Sequence, residues 1–173
     1  APVWAYDPSR PWTANKAEFG KKEIPVSARN SNPRLVTWLH GSGSHKMWGA
    51  APGADGKIYF SGEMIRSGDG GAFGWWDPKA EKNGWLPWET FAGHKTLNLT
   101  AVLGGKWIAL ASYCVRNNIT NEVPETAKIF IFDVAEGKIV KEYEPIKGAR
   151  KIGPMIETAA GKAEYVAHQR DFA

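Results

Sequence analysis

Three stretches of this chain share one frame. His45-Lys46 runs on to Gly56-Lys57, His94-Lys95 to Gly105-Lys106, and Arg150-Lys151 to Gly161-Lys162, and in each the first basic residue stands 12 positions before the second lysine. A second landmark, an aromatic followed by aspartate, occurs at Tyr6-Asp7, Trp76-Asp77 and Phe132-Asp133. Asp77 to His94 is 17 residues, and Asp133 to Arg150 is again 17. Two distances preserved together identify an internal repeat. Repeats constrain architecture more than local propensity does, because each unit buries its apolar face against its neighbours. The period is 49 residues in one step and 56 in the next.

Each unit reads as four short strands. In the middle unit they are Asn98–Leu103, Lys106–Ser112, Lys128–Asp133 and Lys138–Tyr143, with Gly104-Gly105 and Ala135-Glu136-Gly137 as turns. The earlier unit gives Met47–Pro52, Lys57–Glu63, Gly71–Asp77 and Trp85–Phe91. A further unit opens with Pro154–Ala159 and Lys162–Ala167, and Val3–Asp7 reads as the third strand of another. The run Ile129-Phe130-Ile131-Phe132 is apolar on both faces, as a strand is when both sides of its sheet are covered. The 19 glycines, 11 prolines and nine tryptophans suit short strands, tight turns and wide gaps between sheets. No amphipathic stretch keeps helical spacing beyond a turn or two, so the expected class is all-β.

The segment Asp133-Val-Ala-Glu-Gly-Lys-Ile-Val-Lys-Glu-Tyr-Glu144 resembles the strand–turn–strand signature of YVTN, NHL and quinoprotein-like propellers. The resemblance implies a β-propeller fragment with two complete four-stranded blades and two partial ones. Residues 1–44 would hold the end of a partial blade plus a long insertion, 45–93 and 94–149 the complete blades, and 150–173 the first half of a further blade. Closed propellers carry roughly four to eight blades, so further blades or another chain are expected to close the ring. Fold says little about activity here, since propellers host unrelated functions.

In a four-stranded antiparallel blade, the loop entering the innermost strand and the loop leaving the second lie at the same end. The resemblance implies that this end carries the ligand side of a central channel. His45, His94 and Arg150 are expected to turn into that channel and their lysine neighbours away from it. Glu63, Arg66, Tyr113, Arg116, His168 and Arg170 follow second strands and approach the same end. Converging cations at a concave mouth attract carboxylates, sulfates or phosphates. The expected ligand is therefore an anionic small molecule or an acidic glycan, taken up by His45, His94, Arg116, Arg150, Arg170 and Glu63.

Catalysis stays open at this level. His94, His168 and Tyr113 are the candidates for proton abstraction beside a uronate carboxylate, as a polysaccharide lyase requires. A non-catalytic scaffold for protein–protein contact and a quinoprotein-like redox subunit are the alternatives, and no cofactor is identified. No tight His/Glu ligand spacing points to a metal, and the single cysteine, Cys114, excludes a cysteine-based metal knuckle and an intrachain disulfide. The 22 Lys and Arg are interleaved with 18 Asp and Glu, so the net charge of +4 does not read as a nucleic-acid surface. No stretch approaches the roughly 18 apolar residues of a membrane span. The N-terminal Ala1-Pro2-Val3-Trp4 carries no signal-peptide pattern, as a mature secreted chain also would not, and an extracytoplasmic setting, periplasmic or secreted, is slightly favoured. Two stretches outgrow the repeat: Pro8–Ser44 by 21 residues and Tyr113–Thr126 by 7. Loops that lengthen on a rigid scaffold are where function concentrates.

Overall fold

The computed structural model describes residues 2–13, 30–39, 44–64 and 70–168. The chain is all-β, built of several antiparallel sheets, none of them closed among the described residues. Strands β1 (Pro2–Ala5) and β2 (Arg34–Trp38) form a hairpin. Strands β3 (Ser44–Pro52), β4 (Ile58–Met64), β5 (Gly71–Asp77) and β6 (Lys82–Trp85) pair in chain order as a four-stranded sheet. Strands β7 (His94–Val102), β8 (Trp107–Cys114), β9 (Ile129–Asp133) and β10 (Lys138–Tyr143) repeat that order. Strands β11 (Lys151–Ala159) and β12 (Lys162–His168) form a last hairpin, and β11 joins β8 through one pair, Lys151 opposite Tyr113.

The landmarks of the repeat have physical causes. Gly56, Gly105 and Gly161 take φ of +82°, +83° and +74° in three corresponding hairpin turns. Side chains there would be strained in a left-handed turn, so the residue before the lysine is glycine each time. Each landmark aspartate caps the turn that follows its strand. Asp7 Oδ1 accepts from Ser9 N, Asp77 Oδ1 from Lys79 N and Ala80 N, and Asp133 Oδ1 from Ala135 N and Glu136 N, all at 2.9–3.0 Å. Pairing is also interrupted at one shared position of the inner strands, between Met47 and Gly49, Thr96 and Asn98, and Ile152 and Met155.

The sheets lie face to face in layers, with a core in each gap. Phe60 and Trp76 of the first sheet pack on Leu39 and, from the β1–β2 hairpin, Val3 and Val36. Its other face sets Tyr59 and Phe73 against Ile108, Leu110, Phe130 and Phe132 of the second sheet. Phe132 sits edge-on to Phe73 at 4.9 Å and 5.4 Å from Tyr59. The second sheet's far face sets Ala109, Ala111 and Ile129 against Ile152, Met155 and Tyr165 of the last hairpin. The run 129–132 alternates between those two cores, Phe130 and Phe132 facing one and Ile129 and Ile131 the other.

Inner strands also meet across the layers: β7 packs against β3 and β4 on one side and β11 on the other. Thr96 Oγ1 lies 2.9 Å from Ala72 O and 3.1 Å from Gly62 O, while Thr100 Oγ1 donates to Met155 O at 2.7 Å. The three inner hairpin turns gather at one end. Ala54 N donates to Gly105 O, and Glu157 Oε1 accepts from Leu103 N and Gly161 N.

Several expectations need correcting. The fourth strand of the first sheet is Lys82–Trp85 rather than Trp85–Phe91, where Trp88–Phe91 instead form a 3₁₀ turn. Pro87 lacks the N–H a ladder needs, and Asp77 already starts a turn whose spacing to Lys82 matches that from Asp133 to Lys138. The inner strands begin earlier than expected, at Ser44, His94 and Lys151, because interrupted pairing lets a strand continue past an unpaired residue. The N-terminal strand runs Pro2–Ala5 rather than Val3–Asp7, and its partner β2 comes from the supposed insertion, of which residues 14–29 and 40–43 lie outside the described residues.

Candidate functional site

The starts of the inner strands and the ends of the second strands share the end of the stack opposite the hairpin turns. There Lys95, Tyr113, Cys114, Val115, Arg116, Asn118, Val123 and Arg150 line an open cleft of ≈ 600 Å³. Three elements build it. Strand β7 brings Lys95, and β8 brings Tyr113 directly opposite. Arg150 precedes β11, its carbonyl accepting from Cys114 N at 2.9 Å. The third contributor is the lengthened loop after β8, which supplies Arg116, Asn118 and Val123.

That loop is ordered by its own hydrogen bonds. Val115 N donates to Gly93 O at 2.9 Å and Asn117 N to Glu122 O at 2.7 Å. Asn117 Oδ1 accepts from Ile119 N and Thr120 N, and Arg116 donates to Asn121 Oδ1 at 3.1 Å. This loop, one of the two stretches by which the chain outgrows its repeat, forms one wall of the cleft.

Beside the cleft, Glu63 holds two lysines from different sheets. Its Oε1 is 3.2 Å from Lys46 Nζ and its Oε2 3.0 Å from Lys95 Nζ. Burial pushes the Glu63 carboxyl up, but hydrogen bonds and charge from Lys95 and Lys46 outweigh it and hold the group below the usual carboxylate range. Glu63 therefore stays ionised and offsets part of the positive charge here.

The expected arc of first-position residues does not assemble. His94 is 6% exposed, with its ring 5.7 Å from and edge-on to Phe130 and its Nδ1 3.3 Å from Ser112 Oγ. Burial, helped by the Lys128 charge, lowers its pKa to about 4, so the ring is neutral at pH 7 and carries no charge to a ligand. His45 is exposed beside the break in pairing between Ser44 and Lys46 and does not line the cleft. Of the three, Arg150 alone reaches it. Lys95, expected to point away, is instead the β7 residue in the cleft. The signal was present, since the second residue is lysine in all three pairs. A position that must reach water from a packed strand start suits a long flexible cation.

Glu63 lies between lysines, and Tyr113 and Arg116 line the cleft as their approach to this end implied. His168 closes β12 opposite Lys151, and its side chain is outside the described residues, as are Arg66, Arg170 and His40. Among the described residues no group of three or more His, Cys, Asp and Glu is placed to hold a metal ion, and no helix is long and apolar enough to cross a membrane. No family model, curated protein or solved structure matches this chain.

Proposed function

We propose that the chain is a sector of a β-propeller that binds an anionic ligand, an acidic glycan among the candidates, at its strand-entry end. The observation that carries the binding reading is the meeting of Lys95, Arg116 and Arg150, from two layers and an inserted loop, around one cleft with Tyr113. Guanidinium groups offer paired donors suited to carboxylate, sulfate or phosphate oxygens, and Tyr113 adds a hydroxyl. Support for the propeller reading comes from the repeated strand order, the layered cores and the contact of β7 with β3 and β11. On that reading the blades are 45–93 and 94–149, flanked by partial blades in 1–44 and 150–173.

Of the three candidate bases, His94 lies buried away from the cleft, so a catalytic reading would rest on Tyr113, which lines it. The test is titration of the 173-residue chain with inorganic sulfate and with a short uronate oligosaccharide at low salt. The reading expects saturable binding that weakens as salt rises, and at least tenfold weaker binding by Arg116→Ala and Arg150→Ala. Binding that is absent at millimolar ligand, or unchanged in both variants, would refute it. Preference for the oligosaccharide over sulfate would assign the glycan class.

A further inference from the structure

The cleft around Lys95 has walls of two unlike kinds. Its charge comes from Lys95, Arg116 and Arg150, while Tyr113, Val115 and Val123 give it apolar surface. Val115 carries the β7–β8 ladder one step past Cys114, its N–H donating to Gly93 O at 2.9 Å. Tyr113 and Val115 stand two residues apart on that extended segment, so they turn to one side of it. Val123 reaches the same cleft from the returning arm of the inserted loop.

That returning arm is fixed by close packing. Asn117 N donates to Glu122 O at 2.7 Å, and Asn121 N donates to Asn117 O at 2.7 Å, which closes the tip of the loop. Pro124 then lies against Gly93, where a Cβ would come within 2.8 Å of its Cγ. Gly93 also takes φ of +81°, so a side chain there would be strained as well as crowded. Val123 sits between these two anchors, Glu122 and Pro124, and is 40% exposed. A single exposed valine means little by itself. This one is held where Tyr113 and Val115 line the same ≈ 600 Å³ space. Apolar walls with a few convergent charged groups are the usual make-up of a small-molecule site.

We infer that the cleft takes an organic anion whose charged group is carried on an apolar, ring-sized body, such as an aryl carboxylate. The inference rests on the proposed anion-binding role and narrows its ligand class. The carboxylate meets the guanidinium groups of Arg116 and Arg150, and the body lies against Tyr113, Val115 and Val123. Uncharged polar side chains in the lining are few, the Tyr113 hydroxyl and the Asn118 amide. A body covered in hydroxyls would give up its water there for too few partners, whereas an apolar body gives up none that it needs.

Calorimetric titration of the 173-residue chain with benzoate and with glucuronate tests this, because both are ring-sized and carry one carboxylate. Benzoate should bind at least about tenfold more tightly, with the more negative heat-capacity change. Val123→Ser should weaken benzoate about fivefold and leave glucuronate as it was. Val115→Ser should do the same, and an unchanged far-UV spectrum would show that both variants remain folded. Glucuronate binding as tightly as benzoate, or a benzoate preference that survives both serine variants, would overturn the inference. If Arg116→Ala and Arg150→Ala still abolish glucuronate binding in that case, the proposed function stands, so the two failures are separable.

Discussion

Lys95 Nζ on β7 lies 3.0 Å from Glu63 Oε2 on β4, an ion pair that joins two separate sheets with both side chains nearly buried, at 14% and 12% exposure. Lys46 shares the same carboxylate from within the first sheet, but its side chain is 58% exposed. The two lysines occupy matching places in the repeat and differ in how much water screens them.

Replacing them should separate the two contributions. Lys46→Met is expected to change stability by less than about 1 kcal/mol, as exposed pairs do. Glu63→Gln should cost about 2 kcal/mol, because it removes the partner of the sheltered Lys95. The folded Glu63 pKa is depressed, so its contribution is present above the unfolded value and disappears as pH falls through the folded one. Urea unfolding at pH 7 and at pH 3 should show the Glu63→Gln deficit at the higher pH and a smaller one at the lower.

His94 predicts a second, distinct pH window. Its folded pKa is about 4, against about 6.5 for a histidine in the unfolded chain. The unfolded chain therefore binds the proton first, and stability is complete above about pH 6.5 and falls as pH drops towards 4. The loss at pH 4 is on the order of 3 kcal/mol. His94→Leu should flatten the unfolding midpoint between pH 6.5 and 5, where Glu63 contributes no slope. An unchanged slope in that variant would show that His94 is not the titrating group.

Close approach between the sheets makes Gly71 a sensitive position. A Cβ there would come within 2.6 Å of Thr96 Oγ1, 2.7 Å of Thr96 N and 2.8 Å of His94 O. Two of those atoms are backbone and cannot rotate away. Gly71→Ala is expected to destabilise by about 2 kcal/mol, read from the urea midpoint. A neutral result would mean that β5 and β7 are not in contact.

Glu81 and Gly137 occupy the same place in the turns after Asp77 and Asp133, with φ of 51° and 68°. Glutamate is strained in that left-handed conformation and glycine is not. Glu81→Gly should raise stability by about 0.5–1 kcal/mol, since the 3.3 Å pair it forms with Arg34 is exposed and worth little. Gly137→Ala should lower it by about 1 kcal/mol. Thermal melts of the two variants should move in opposite directions.

Sequence alone determined the repeat, the all-β class and most of the strands, because each rests on local chemistry. Glycine before lysine marks a left-handed turn, an aspartate after an aromatic caps the next one, and an apolar run on both faces announces a covered sheet. Even the misplaced β6 was legible in the Asp77 to Lys82 spacing. The site was only half legible. Tyr113, Arg116 and Arg150 follow from which strand ends share an end of the sheet, a matter of chain direction. Which member of His94-Lys95 faces water does not follow, since one unpaired residue, as at the break after Thr96, reverses the side on which every earlier residue lies. Only the packed sheets decided that His94 would be a neutral core residue against Phe130 and that Lys95 would cross between layers to Glu63. Both outcomes depend on residues 32 or more positions away, Lys95 on Glu63 and His94 on Phe130, and no local pattern encodes such a distance.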